Sequence, residues 1–378
     1  MRSTILNNIN DVSAEQWNHL VEGDDPFIQH TFLATLEEHE CVGQKYGWIP
    51  QHIAIYDDAD VLIGAAPMYL KDNSYGELVF DWNWADAYHR SGLHYYPKLV
   101  TGIPYTPVTG PRLLVAEEAD QLSTRQRLIE IAISLAEKNN LSSMHWLFTN
   151  KTDTQILKES GLSMRLGCQF HWQNHNYNNF DEFLQTMSSQ KRKKIKRERR
   201  RTQEQDIKLE VLHGDEMSEE QWQVFHRFYE STFERKSGMP TLSLSFFMAL
   251  AERMPRNMVV VLAKHNHQYV AGAFNMRSND TLYGRHWGCS ADYHSLHFEA
   301  CYYQGLDYCI QHQLQRFEPG AQGEHKISRG FLPIRTWSAH WIAHPEFKTV
   351  IGNFCNHEQK GMEHYIAELE QHSPYKTS

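Results

Sequence analysis

The segment VLIGAAPMYLKDNSYG, residues 61–76, lies over YVAGAFNMRSNDTLYG, residues 269–284, without a gap at an offset of 208 residues. Gly64 and Gly272, Ala65 and Ala273, Met68 and Met276, Asp72 and Asp280, Tyr75 and Tyr283, and Gly76 and Gly284 coincide. Each copy follows a run of β-forming residues, QHIAIYDD or NMVVVLAKHN, and precedes another, ELVFDW or RHWGCS. The pattern predicts a three-strand antiparallel meander used twice; the alternative is a pair of unrelated hairpins.

Around these meanders the apolar spacing is helical. DQLSTRQRLIEIAISLAEKNN reads as a helix and SSMHWLFTN as a strand in the first half. The second half carries helical patterns near 218–235, 243–253 and 295–313, then a terminal one opening at Pro345, with Phe347, Val350, Ile351 and Phe354 as its stripe. Between the halves, Asn179 is placed to cap a helix, with Glu182 as its capping-box partner. Phe180, Phe183, Leu184, Met187 and Ile195 keep helical spacing, so one helix is expected to run on into the basic residues that follow. The expected organisation is an α/β (α+β) chain with a first domain at 1–176, a basic linking helix at 177–205 and a second domain at 206–378. Each domain has a mostly antiparallel central sheet flanked by helices.

A chain of 378 residues exceeds what one core usually organises. Six cysteines show no CxxC pairing, which suits a reducing compartment. The start MRSTILNNIND has no apolar stretch of signal-peptide type, and no run is long enough to span a bilayer. A cytoplasmic protein without an integral membrane segment is expected. The formal net charge of −9 argues against a general nucleic-acid binder. The exception is local: KRKKIKRERRR at 191–201 carries nine basic residues and one glutamate. Like charges at helical spacing destabilise an isolated helix, so an anionic partner would relieve them. Candidates are a nucleotide diphosphate, coenzyme A, tRNA or anionic lipid; the alternative is a solvated face.

The doubled meander with a basic helix between its copies resembles the paired acetyltransferase-like (GNAT) domains of the FemABX family, enzymes that add amino acids to peptidoglycan precursors. PYTPVTGPRLL (104–114), SSQKRKKIKRERR (188–200) and GAQGEHKISRGFLPIRTWSAHWI (320–342) are similar to the FemAB-like group of N-acyltransferases labelled peptidoglycan biosynthesis/recognition proteins. The long helical hairpin that some FemABX members insert has no counterpart here. The resemblance implies tandem GNAT-like acyl-CoA N-acyltransferase domains and a transferase forming an amide bond. Its co-substrate would be acyl-CoA or aminoacyl-tRNA, with acyl-carrier protein as a further donor, and no cofactor would be tightly bound. The acceptor would be a small-molecule or peptide amine.

Amide formation needs a neutral amine, a polarised carbonyl and an acid for the leaving group. Glu324, His325 and His340 are the candidates for the base. Gly320 and Gly323 would let backbone N–H groups approach a carbonyl or an anion, while Lys326 and Arg329 would bind phosphate or carboxylate. Arg285 to Ser290, with Trp287 inside it, resembles the loop that holds the coenzyme A pyrophosphate in GNAT enzymes, although a buried strand end fits these residues as well. Lys193, Lys194 and Arg197 belong to the basic run. In FemABX relatives the first domain contributes to the acceptor pocket, which brings in Tyr105, Thr106 and Arg112. No HExxH or Cys/His array suggests a metal, and there is no GxSxG elbow. The competing reading is a non-catalytic protein of the same fold that recognises a cell-wall fragment or an RNA.

Overall fold

The computed structural model describes residues 1–236, 238–321 and 323–376. Two compact units divide it, 1–168 with 335–365 and 169–334 with 366–376. The chain therefore passes from the first unit to the second within the strand Ser163–Gln173 and returns within the strand Leu332–Ile342.

In the first unit, Arg2–Leu6, His52–Tyr56, Leu62–Ala66 and Leu114–Val115 form a four-stranded antiparallel sheet in that order. A second run of strands orders Ile49–Pro50, Met68–Lys71, Lys98–Thr101, Ser143–Leu147 and the first-unit part of Leu332–Ile342. Only the pair Lys98–Thr101 with Ser143–Leu147 is parallel. The expected helix is present as Gln121–Lys138, with Asp120 accepting from the Ser123 N–H as its cap. Its buried Leu128 and Ile129 pack in one core with Ile53, Leu99, Met144, Trp146 and Leu157. Ser143–Leu147 is buried at every position, as suits a strand covered on both faces.

The second unit orders Lys208–His213, Met258–His265, Gln268–Arg277, Thr281–Cys289, Arg316–Glu318 and the end of Ser163–Gln173. The 258–289 segment is the antiparallel meander that the repeat predicts. Helices Glu219–Arg235 and Leu244–Arg253 cover it through Trp222, Phe225, Tyr229 and Phe247, whose rings pack against one another and against Phe274. The fit is close: a Cβ on Gly288 would lie 1.9 Å from the Phe228 carbonyl oxygen.

The two copies of the repeat diverge at one aligned position. Pro67 lies over Asn275 and has no N–H for a ladder. In the first unit the chain splits there, Leu62–Ala66 entering one sheet and Met68–Lys71 the other. In the second unit the strand runs through, and its register to the neighbour slips between Phe274 and Asn275.

Two expectations are corrected. ELVFDW forms no strand: Glu77 and Asp81 turn inward onto the Lys98 ammonium, with Glu77 at 2.8 Å, and Asp81 leads into the helix Trp82–Arg90. The helix expected from Asn179 onward is two helices, Phe180–Thr186 and Ser189–Glu204. Asn179 caps the first as expected, but Glu182 accepts from the Asn178 N–H rather than from that of Asn179, so the capping box is not formed. Met187 is extended, with ψ of 156°, fully buried and bridged to Tyr375, while the Ser188 N–H donates to the Pro374 carbonyl.

Candidate active site

The register slip leaves Arg285 as the extra residue, because Phe274 faces His286 while Asn275 faces Gly284. A bulge of this kind interrupts the ladder and bends the strand. A cavity of about 260 Å³ opens there in the second unit. Ala273, Phe274, Asn275, Gly284, Arg285, His286 and Trp287 line it from the two strands. The last turns of the helix Glu219–Arg235 add Tyr229, Thr232 and Phe233, and Lys236 follows as its cap. His297, Cys301 and Tyr302 close it from the helical segment that starts at Leu296.

That segment contains a π-helical turn, Glu299–Tyr303, before it continues as Gln304–Gln311. Such turns widen the helix and re-aim side chains, and they recur at functional sites. Cys301 and Tyr302 line the cavity, while Tyr303 hydrogen-bonds the Glu198 carboxylate.

The lining includes no Asp or Glu among the described residues, whereas Arg285 and Lys236 are cationic. Burial lowers Arg285 to about 10 against the pull of Glu318, and lowers His286 to about 3, with Arg285 adding to the effect. Burial also lowers His297 to about 4, with neighbouring His325 and the cationic Arg329 adding to the effect. Both histidines are therefore neutral near pH 7. The His286 ring meets Tyr229 edge-on at 4.9 Å, and His297 meets Tyr302 at 5.5 Å. The Tyr302 hydroxyl and His325 Nε2 are 2.9 Å apart, linking the cavity wall to an exposed imidazole. The Cys301 thiol is pushed up by burial, so it is no thiolate.

The opening residues of the 3₁₀ segment Glu324–Arg329 are exposed, Glu324 included, and the later ones turn inward. Lys326 is buried, donates to the Gly320 carbonyl at 2.6 Å and is lowered to about 8 by burial. Arg329 is buried against Glu198 at 2.9 Å and stands 3.4 Å from the centre of the Phe298 ring. Gly320 and Gly323 take φ of +92° and +116°, the left-handed region that glycine enters without strain.

On the basic helix, Ile195, Glu198 and Thr202 are buried, at helical spacing. Arg199 pairs with Asp307 at 2.6 Å beside this inner face. Lys193, Lys196, Arg197 and Arg200 are exposed. Lys194 is half-buried, lowered by burial, and donates to the Ser328 hydroxyl.

The remaining candidates lie in the first unit. His340 is buried, with its Nδ1 2.7 Å from that of His145 and its Nε2 2.9 Å from the Ser338 hydroxyl. Arg112 is buried and donates to the carbonyls of Leu147, Pro111 and Val108. The Tyr105 hydroxyl donates to the Cys41 carbonyl, and the Thr106 hydroxyl to that of Pro104. The structure thus brings Arg285 and Trp287 to the cavity and joins His325 to it through Tyr302. Arg285 to Cys289 form strand rather than a loop, and the next helix begins only at Leu296, so the pyrophosphate-loop geometry is absent. Asn275, His297 and Tyr302 were not flagged by the sequence, because the strand and the helical segment that carry them are distant in the chain, and His286 passed only as part of the Arg285–Ser290 string. Among the described residues no group of three or more His, Cys, Asp or Glu is arranged to hold a metal ion, and no helix is long and apolar enough to cross a membrane.

No curated protein matches the sequence. Among solved structures, FemX is similar at 11% identity with a TM-score of 0.55, over 93% of this chain and 100% of FemX. L-PGS from Bacillus licheniformis gives 0.51 at 11% identity, over 88% of this chain and 98% of its own. The mixed α/β fold expected from the sequence, a tandem GNAT-like pair, is the one observed. The family model described as peptidoglycan biosynthesis/recognition matches residues 8–377. The chain belongs to the FemAB-like family.

Proposed function

We propose that the protein is an N-acyltransferase that moves an acyl or aminoacyl group from an activated donor to an amine, and that the cavity at the 274/275 bulge is where the transfer occurs. The observation that carries this reading is the lining: cations without a carboxylate, two neutral histidines, and a tyrosine hydrogen-bonded to an exposed imidazole. Such a site favours the anionic character that develops on a carbonyl oxygen under attack, with Arg285 and Lys236 as its charges. His297 takes the proton that the amine nitrogen loses as it bonds to the carbonyl carbon. Tyr302 and His325 carry a proton between the cavity and solvent, so the leaving sulfur or oxygen departs protonated. Lys236 and the exposed face of the basic helix, Lys193 and Arg197 included, would attract the phosphates of acyl-CoA or aminoacyl-tRNA. The family description makes a peptidoglycan precursor the first acceptor to try.

The test offers the purified protein a panel of acyl-CoA thioesters and aminoacyl-tRNAs with amine acceptors, and follows amide product by mass spectrometry. The proposal expects product with one donor class and a loss of at least a hundredfold in kcat for His297→Gln at unchanged donor affinity. Product formed equally well by His297→Gln refutes the assignment. One observation favours the non-catalytic reading, namely that Glu324 is exposed and is not among the lining residues, so the cavity has no carboxylate base. That reading expects tight binding with no product from any donor.

A further inference from the structure

In the cavity at the 274/275 bulge, one wall residue has no part in the transfer described above. Asn275 lines the cavity and is only 3% exposed. Its Nδ2 donates to the Val259 carbonyl at 3.0 Å, which fixes the amide plane and sets Oδ1 on the other side. Among the described residues no N–H or O–H donates to that oxygen. The facing strand leaves it uncovered: Gly284 stands opposite Asn275, and Oδ1 is 3.5 Å from where a β-carbon at 284 would sit. A buried acceptor without a donor costs free energy, which a ligand that brings a donor recovers. The occupant of this cavity is therefore expected to carry an N–H or O–H of its own.

Charge decides which donor fits. Arg285 and Lys236 belong to the lining, and no Asp or Glu does among the described residues. Glu318 acts on Arg285 from outside the lining and is itself paired to Arg316 at 3.1 Å. An ammonium group here would meet like charges without a counter-ion, and a charge buried unpaired is costly. Aromatic faces can hold a cation, but two in this wall already have neighbours, since His286 stacks on Phe274 and Phe298 on Tyr302. An aminoacyl group carries its amine largely protonated near neutral pH, whereas a hydroxyacyl group of the same size offers an O–H without charge. The volume of about 260 Å³ is below that of pockets enclosing a whole drug-sized ligand, so it suits the acyl end of a donor rather than its carrier.

We propose that the acyl group held here is an uncharged hydroxyacyl, with its hydroxyl on the first or second carbon from the carbonyl and the O–H donated to Asn275 Oδ1, and that aminoacyl groups are rejected. This rests on the reading of the same cavity as the place of transfer. The hydroxyl keeps its bonds throughout: the amide C–N bond forms, the carrier's C–S or C–O bond breaks, and protons move as described above. Two near-isosteric sets of coenzyme A thioesters test it on the full chain: propionyl, lactyl and alanyl for the first carbon, and butyryl, 3-hydroxypropionyl and β-alanyl for the second. Lactyl-tRNA and alanyl-tRNA form the ester arm. Titration calorimetry reads affinity and mass spectrometry reads amide product. On whichever carrier is held, the hydroxyacyl member of one set should bind at least tenfold more tightly than its ammonium counterpart and, among the thioesters, than its methyl counterpart. Asn275→Asp puts a carboxylate in place of the amide and should cut the preference for hydroxyl over ammonium at least tenfold; where that variant does not fold, the wild-type comparison decides. Equal affinity within every set overturns the proposal, as does an ammonium member that binds as tightly as the hydroxyl one, or a folded Asn275→Asp that keeps the full preference. Hydroxyacyl preference in binding without amide product supports this proposal and overturns the transfer reading. Amide formed as readily from alanyl or β-alanyl donors, and lost in His297→Gln, does the reverse. Binding of no donor overturns both.

Discussion

Replacing Glu198 with Gln removes the only acidic charge in the run 191–201 while preserving its shape. Glu198 is 6% exposed and Arg329 is 1% exposed. Arg329 Nη2 donates to both carboxylate oxygens at 2.9 Å, and the Tyr303 hydroxyl donates to one of them. Breaking a buried pair from one side leaves an uncompensated charge, which costs about 3–5 kcal/mol. The low end applies here because Arg329 keeps the His325 carbonyl at 2.7 Å, the Tyr303 oxygen at 3.1 Å and the Phe298 ring. Glu198→Gln should therefore lower stability by about 3 kcal/mol. Because a buried pair is close to neutral against well-packed apolar residues, Glu198→Leu/Arg329→Met should cost much less than the two single changes summed. Urea unfolding followed by tryptophan fluorescence measures wild type, Glu198→Gln and the three variants of the cycle. A cost below about 1 kcal/mol for Glu198→Gln, or strict additivity in the cycle, would refute the reasoning.

Other consequences follow from the same geometry. Tyr302→Phe should cut turnover and flatten its dependence on pH, leaving the fold intact, whereas an unchanged pH–rate profile would remove Tyr302 and His325 from the proton path. Gly288→Ala should unfold the second unit or cost more than about 3 kcal/mol, since its methyl group would overlap the Phe228 backbone; a melting temperature within a degree of wild type would contradict this. Burial holds His145 and His340 neutral well below the ordinary histidine range. In the unfolded chain they protonate near pH 6.5, so their contribution is complete above that value and is lost as pH falls, with a slope of up to about 2.7 kcal/mol per pH unit for two protons. Unfolding midpoints that do not decline between pH 7 and pH 5 would be inconsistent with this. Lys193→Ala/Arg197→Ala should weaken donor binding and make it less sensitive to salt, which titrations at two ionic strengths would detect.

The sequence carried the second-unit meander because its alternation, its glycines and its turn at Asn279–Asp280 are local signals. The helices at 121–138, 219–235 and 244–253 were legible for the same reason: their caps, Asp120, Ser218 and Ser243, lie next to the apolar stripe. What failed depended on distant partners. The break at Met187 is made by Tyr375, and the loop at 77–81 by Lys98, neither of which sits within a helical turn of the residues it redirects. The site was half legible. Arg285 and Trp287 stood out within a motif-like string, yet the string is strand, and the cavity arises from a one-residue slip that composition does not announce. In Glu324–Arg329 the charges are legible, but their direction is not. Lys326 and Arg329 are drawn inward by the Gly320 carbonyl and by Glu198.

The central claim is that the bulge cavity holds the activated carbonyl. Hydrogen–deuterium exchange of the protein with and without each donor in the acyl-CoA and aminoacyl-tRNA panel tests it most directly. The account predicts that one donor slows exchange in peptides covering 229–236, 273–276, 284–287 and 297–302 together. Donor-dependent protection that leaves these four segments unchanged, or no protection by any donor, would contradict it.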